Sequence, residues 1–164
     1  MMNITYRVAS LQDLEQVWAY NVAAHPKDPR WQHWAQEYIG YNMDGRAVTF
    51  VAMCDQEPIG EVTLLIDQSC SAIDGNTLLA DRQNIANINA LRVRKQWEGQ
   101  GHASSLVRCA ETYAAEHGFR ELTIGVDANE TRNIGIYLHW NYDKYVCFEI
   151  EDNIPVLYYA KTLK

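Results

Sequence analysis

Two glycines separated by a single residue, Gly99 and Gly101, stand between a predicted strand over 85–93 and a long amphipathic segment that runs to Gly118. Glycine adopts backbone angles that other residues avoid, and it lets the backbone come close to a ligand. A helix that begins there directs unpaired N–H groups and the positive end of its dipole into the same gap. An anion such as a phosphate is the natural ligand of such a gap. The segment therefore predicts a nucleotide- or coenzyme-binding protein.

Composition limits the classes of protein to which the chain can belong. Its 164 residues are enough for one domain with a buried core, and we expect a single domain over 1–164. The formal net charge of -7 argues against a general nucleic-acid-binding protein, which would usually be basic. The sequence shows neither a signal peptide nor an apolar run of membrane-spanning length, so we expect a cytoplasmic protein with no membrane partner.

The cysteines and histidines do not suggest a metal site. No Cys-x-x-Cys pair occurs, which favours free thiols in a reducing compartment. The histidines lack ligand spacing, so no metal is expected. The cysteines are Cys54, Cys70, Cys109 and Cys147, and the histidines are His25, His33, His102, His117 and His139.

Strands and helices that must position the glycine loop alternate along the chain. Residues 4–8 alternate like a strand, and Ser10 with Asp13 resembles a capping box at the start of a helix. The remaining patterns predict a helix over 31–41, hairpin strands over 48–53 and 59–66 with a turn at 55–58, a polar loop over 67–84, a strand over 85–93, a helix ending near 118, a strand over 122–126, a helix over 131–140 and strands over 145–150 and 155–160. This order indicates a mixed α/β sheet.

The element order, the glycine loop and the later Tyr137 together resemble the GCN5-related N-acetyltransferase (GNAT) superfamily. The resemblance implies an α/β (α+β) fold with a mixed central sheet of about six to seven strands flanked by four helices. It implies direct transfer of an acetyl group from acetyl-CoA, as co-substrate, to the primary amine of a small molecule or peptide. It implies no metal, and homodimers are common in the family.

The family's pyrophosphate loop, Gln/Arg-x-x-Gly-x-Gly/Ala, fits this chain in two registers. One begins at Gln96 and ends at Gly101; the other ends at Ala103 and fits the helix better, but it places Glu98 where the family carries arginine or glutamine. Because a carboxylate would repel pyrophosphate, we expect Glu98 to point away and backbone N–H groups to bind the coenzyme. The implied coenzyme contacts are Gly99, Gln100, Gly101, His102, Ala103 and Ser104.

The end of the central strand matches the segment that pairs with the pantetheine arm in the family. Leu91, Arg92 and Val93 occupy it, and the Val93 N–H would stabilise the oxyanion of the tetrahedral intermediate. Arg92 begins a basic run with Arg94 and Lys95, which is either a solvated edge or an electrostatic aid to phosphate binding.

Tyr137 occupies the position of the family's general acid, which protonates the departing CoA thiolate. The residue at the position of the family's CoA-contacting asparagine is Glu130, so Asn129 and Asn133 are the substitutes, and Arg132 is placed to meet a CoA phosphate.

The general base is the least determined residue. The central strand offers Asn87 and Asn89, neither of which is a base, so Glu61 on the preceding strand is the candidate carboxylate; the alternative is that Glu61 is a solvated strand residue. This departure also leaves open a non-catalytic acyl-CoA-binding or regulatory module on the same fold. The acceptor stays open among aminoglycosides, polyamines, amino acids and protein N-termini, and so does the length of the acyl chain.

Overall fold

The computed structural model describes all 164 residues, which form seven strands and four α-helices. The elements in chain order are β1 (Ile4–Val8), α1 (Leu11–Ala24), α2 (Arg30–Met43), β2 (Ala47–Cys54), β3 (Glu57–Leu65), β4 (Ile85–Val93), α3 (His102–Glu116), β5 (Glu121–Asp127), α4 (Thr131–His139), β6 (Lys144–Glu151) and β7 (Ile154–Thr162). The strands hydrogen bond in the order β1-β2-β3-β4-β5-β7-β6, with β4 and β5 parallel and β1 and β2 antiparallel. The predicted α/β fold with a mixed sheet and four helices is confirmed.

The structure departs from the sequence predictions at two places. The turn predicted over 55–58 is only two residues long, and Pro58 already belongs to β3. A single 3-10 turn over Lys95–Trp97, which the sequence pattern did not predict, separates β4 from the glycine loop. Helix boundaries otherwise differ by a few residues, as fraying ends usually do.

The chain divides into two compact units, which we call unit 1 and unit 2. Unit 1 comprises residues 1–64 and 90–110, and unit 2 comprises residues 65–89 and 111–164. The boundaries between the units fall within β3, β4 and α3, and the glycine loop belongs to unit 1 whereas Tyr137 belongs to unit 2.

In unit 1, the start of α1 is fixed by a capping box. The Ser10 hydroxyl accepts a hydrogen bond from the Asp13 N–H (3.1 Å), and the Asp13 carboxylate accepts one from the Ser10 N–H (2.8 Å). Asp13 also pairs with Arg7 of β1. The helix then buries Leu14, Val17 and Trp18, which lie at helical spacing on one face.

Strand β4 changes its geometry near its end. Its parallel register with β5 covers Ile85–Ile88, and those residues are largely buried. Ala90 then has a φ of 51°, in the left-handed region that a residue with a Cβ adopts only under constraint. The residues after it are half-buried. The irregularity therefore lies directly before Leu91, where the strand was expected to bind the pantetheine arm.

Unit 2 is built on β5, β7 and β6, which pair antiparallel. Its predicted loop over 67–84 is ordered by side chains: Asp67 pairs with Arg82, and one Asp81 oxygen accepts hydrogen bonds from the N–H groups of residues 83, 84 and 85 (2.9, 2.7 and 2.8 Å). The four cysteines form no disulfide, and none of the helices combines the length and apolar character needed to cross a membrane.

Candidate active site

The glycine loop has the backbone conformation that its sequence predicted. Gly99 and Gly101 have φ values of 74° and 88°, and α3 begins immediately afterwards at His102. No heavy atom lies within 4 Å of the place where a Cβ would stand at either glycine, so the space beside the loop is open. The Gly101 carbonyl accepts the first helical hydrogen bond from the Ser105 N–H (3.1 Å), while N–H groups earlier in the turn have no partner within the helix.

The first side chain of α3 faces the protein interior. His102 is buried, and its Nδ1 lies 2.7 Å from the Tyr6 hydroxyl while its Nε2 has no hydrogen-bond partner. The Trp97 ring packs edge-on against it, with centroids 5.8 Å apart. His102 thus anchors the loop through its side chain, and any coenzyme contact at this position falls to its backbone.

A cavity of about 390 Å³ lies beside this loop, within unit 1. One wall is a face of α1, another is β3 near Gly60 and Glu61, and a third is the end of β4 and the residues after it. Four residues predicted for the site, Glu61, Leu91, Arg92 and Val93, line it together. Glu98 is exposed and also lines this cavity.

Glu61 is the most buried charged group of the cavity. Its side chain lies on β3 with only 5% of the residue exposed, so the interpretation of Glu61 as a solvated residue is wrong. Its Oε1 accepts hydrogen bonds from Arg92 Nη1 (2.7 Å) and Asn21 Nδ2 (2.8 Å), and both bonds end on this one oxygen. Burial raises the pKa of Glu61, although the Arg92 and Asn21 interactions oppose that shift.

The guanidinium groups of Arg92 and Arg94 pack against aromatic rings. The Arg92 guanidinium lies 5.3 Å from the Trp18 ring and 4.9 Å from the Trp31 ring. Arg94 lies 3.9 Å from the Tyr20 ring and pairs with Glu57 (2.5 Å), and its side chain keeps only 13% exposure. Arg92 and Arg94 are therefore not part of a solvated edge, whereas Lys95 is exposed.

The close packing of β3 on β4 depends on Gly60. A Cβ at this position would stand 3.0 Å from the Arg92 carbonyl oxygen and 3.3 Å from Leu106 Cδ1. A side chain at this position would push the end of β4 away. Glycine therefore allows Arg92 of β4 to reach Glu61, the residue after Gly60 on β3.

Tyr137, in unit 2, lies on α4 with its ring half-buried against Trp140, the centroids being 5.7 Å apart. Burial raises the pKa of the Tyr137 phenol, and the negative charge of Glu130 raises it further. Of the other predicted coenzyme contacts, Asn133 donates a hydrogen bond to Glu130 (2.5 Å), and Asn129 and Arg132 are exposed.

Sequence reasoning missed the residues that hold the Glu61–Arg92 pair. Asn21 lies at helical spacing after Leu14, Val17 and Trp18, on the apolar face of α1, and it is buried. A polar residue at a core-facing position is a signal of a buried partner, because an unpaired amide there would be costly. The contacts of Trp18 and Trp31 with Arg92 left no comparable signal in the sequence.

The family model of the acetyltransferase (GNAT) family matches residues 8–142. The chain belongs to this acetyltransferase family. It is therefore an acyltransferase, as the resemblance predicted. A sequence comparison with proteins of curated function finds no match.

Solved structures similar to this GNAT chain cover almost its whole length. An N-acetyltransferase from Staphylococcus aureus Mu50 has a TM-score of 0.74 at 18% identity, with 99% of each chain covered. The PaiA N-acetyltransferase of Thermoplasma acidophilum, in complex with coenzyme A, has a TM-score of 0.64 at 17% identity, covering 98% of this chain and 99% of its own. Arabidopsis thaliana NAA60, in complex with acetyl-CoA, has a TM-score of 0.70 at 18% identity, covering 98% of this chain and 99% of its own. At these identities the likeness shows a shared fold.

Proposed function

We propose that this protein moves an acetyl group from acetyl-CoA to the primary amine of a small molecule or peptide, by direct attack of the amine on the thioester. The observation that carries the proposal is the glycine loop. Gly99 and Gly101 adopt positive φ values beside open space, and the free N–H groups of α3 begin at the next residue. This arrangement fits the diphosphate of coenzyme A, and the solved coenzyme complexes of PaiA and NAA60 support the choice of ligand.

The coenzyme would be bound mainly by backbone groups. We assign the diphosphate to the N–H groups of the segment that runs from the loop into α3, and the pantetheine arm to Leu91, Arg92 and Val93 of β4. On the basis of the family resemblance, Asn129, Arg132 and Asn133 are further contacts. The residues assigned to the diphosphate are Gly99, Gln100, Gly101, His102, Ala103 and Ser104.

Three groups would perform the chemistry. Glu61 takes a proton from the ammonium of the acceptor, through Oε2, the oxygen that Arg92 and Asn21 leave free. The neutral nitrogen then attacks the thioester carbon, and the Val93 N–H stabilises the oxyanion. As the C–N bond forms and the C–S bond breaks, Tyr137 gives a proton to sulfur and regains one from water, while the nitrogen loses its second proton to water. Glu61 then releases its proton to water.

Titration calorimetry with acetyl-CoA tests the binding step. We expect saturable heat from the wild-type protein and at least about tenfold weaker binding in Gly101→Ala, because alanine is strained at a φ of 88°. Gly75→Ala is the matched control, since Gly75 also has a positive φ (77°) beside open space but lies in unit 2, outside the loop. An absence of heat with acetyl-CoA would overturn the proposal.

A second measurement tests transfer itself. Acetyl-CoA-dependent release of free thiol in the presence of an amine panel should show turnover, with initial rates that fit a sequential mechanism. A double-displacement pattern would contradict direct attack. Binding of acetyl-CoA without thiol release for any amine would instead indicate an acyl-CoA-binding module.

A further inference from the structure

The Glu61–Arg92 pair presents two opposite charges side by side in the wall of the cavity. Glu61 Oε1 and Arg92 Nη1 are 2.7 Å apart, and both residues line the cavity. Because both hydrogen bonds to the Glu61 carboxylate end on Oε1, Oε2 has capacity for another donor. An ammonium group would satisfy that oxygen.

Arg92 also has unused capacity. A guanidinium carries five N–H donors, and one of them is bound by Glu61. Trp18 and Trp31 hold the planar group in place, while its side chain keeps 32% exposure. A fixed guanidinium with free donors beside a cavity is suited to a planar, bidentate anion such as a carboxylate.

The charges that line the cavity offer no net attraction to an acceptor with several positive charges. Its wall carries three cationic side chains, Arg92, Arg94 and Lys95, against two carboxylates, Glu61 and Glu98. Arg92 is compensated by Glu61 and Arg94 by Glu57, so Lys95 and Glu98 remain as one charge of each sign. A polyamine would therefore find no surplus of carboxylates in this wall, whereas an acceptor with one anionic group can use the free donors of Arg92.

We propose that the acceptor is an amine that carries a carboxylate close to its nitrogen, as an α-amino acid does. Its carboxylate binds the free donors of Arg92, and its ammonium binds Oε2 of Glu61, from where its proton is removed. The inference rests on the proposed acetyl transfer and adds the class of acceptor. Arg92 then determines specificity through its side chain, apart from the backbone role assigned to it above.

Matched pairs of substrates test the inference in the wild-type protein. Thiol release from acetyl-CoA is measured with the common L-amino acids, with the carboxamide of each amino acid that reacts, with spermidine and with phosphoethanolamine. We expect kcat/KM for the free acid to exceed that for its carboxamide at least about tenfold, the value of one charge-assisted hydrogen bond. The carboxamide has the more readily deprotonated amine, so this preference cannot arise from amine basicity.

Variants of Arg92 identify the group that reads the carboxylate. In Arg92→Met the acid-to-carboxamide ratio should fall towards one, and in Arg92→Lys, which keeps a cation beside the buried Glu61, the ratio should fall part of the way. The ratio does not depend on a general loss of activity. Arg46→Met is the matched control, because Arg46 also stacks on a ring (Tyr41, 4.6 Å) and pairs with a carboxylate (Asp44), but does not line the cavity.

The possible failures are distinguishable. Equal or better turnover of the carboxamide, of spermidine or of phosphoethanolamine overturns the inference and leaves acetyl transfer intact, and so does an unchanged ratio in both Arg92 variants. If no amine is acetylated, the proposed function fails. Calorimetric titration of the amino acids into the protein with coenzyme A then decides the inference: Arg92-dependent binding supports a carboxylate site, and no binding overturns it.

Discussion

At the scale of single residues, the protonation of the leaving sulfur gives the sharpest prediction. The Tyr137 phenol has a raised pKa, so it is protonated at neutral pH and can serve only as an acid there. Tyr137→Phe should lower kcat by about 10²-fold or more while leaving the affinity for acetyl-CoA unchanged, as measured by thiol release and calorimetry. The control is Tyr145→Phe, an exposed tyrosine of β6. Full activity in Tyr137→Phe would show that another group protonates sulfur.

Glu61 gives a second prediction at this scale, based on pH. Because burial raises its pKa, kcat/KM should decline as pH falls through a value above that of an exposed glutamate, where Glu61 becomes protonated and stops acting as a base. Glu61→Gln should lose about 10²-fold in kcat/KM and also lose this acidic limb of the profile. Glu57→Gln, on the same strand and also paired with an arginine, is the control. An unchanged acidic limb in Glu61→Gln would exclude Glu61 as the base.

At the scale of elements, α1 positions one wall of the cavity, and its first turn determines its stability. Burial alone would raise the pKa of Asp13, but hydrogen bonds from Arg7 and Ser10 outweigh it and hold this pKa below its usual value. This carboxylate therefore stabilises the fold above about pH 4, the ordinary pKa of aspartate, and the contribution is lost as pH falls through the lowered pKa. Ser10→Ala should lower the free energy of unfolding in urea by about 1 kcal/mol at neutral pH.

A matched change at another helix provides the comparison for α1. Thr131→Ala alters the first residue of α4, whose start has no side-chain cap, so this change should leave the unfolding midpoint nearly unaltered. If both variants lose equal stability, the capping box is not the cause.

At the scale of the whole molecule, we propose that residues 1–164 form one domain. Strand β4 contributes residues to both compact units, so the backbone of one strand runs through the division. Thermal unfolding should therefore give a single transition, with tryptophan fluorescence and far-ultraviolet circular dichroism reporting the same midpoint. Four of the five tryptophans lie in unit 1, and Trp140 lies in unit 2. Fluorescence would therefore report mainly on unit 1, so units that unfold independently would give different midpoints by the two methods.

The sequence by itself determined the order of the elements and the glycine loop. Both are encoded locally: alternation and helical spacing decide strand or helix, and Gly99 and Gly101 can take positive φ values that other residues avoid. The capping box at Ser10 was readable for the same reason. The 3-10 turn before the loop was not readable, because Lys95 to Trp97 carry no such local signal.

Only the tertiary structure decided the environment of Glu61. A glutamate on a strand is most often solvated, and nothing near it in the sequence shows that Arg92, 31 positions away, and Asn21, 40 positions away, converge on one of its oxygens. The same holds for the two indole rings beside Arg92, which come from different helices. Local conformation depends on neighbours in the chain, whereas burial, charge pairing and the pKa shifts that follow from them depend on residues that meet only when the chain is folded.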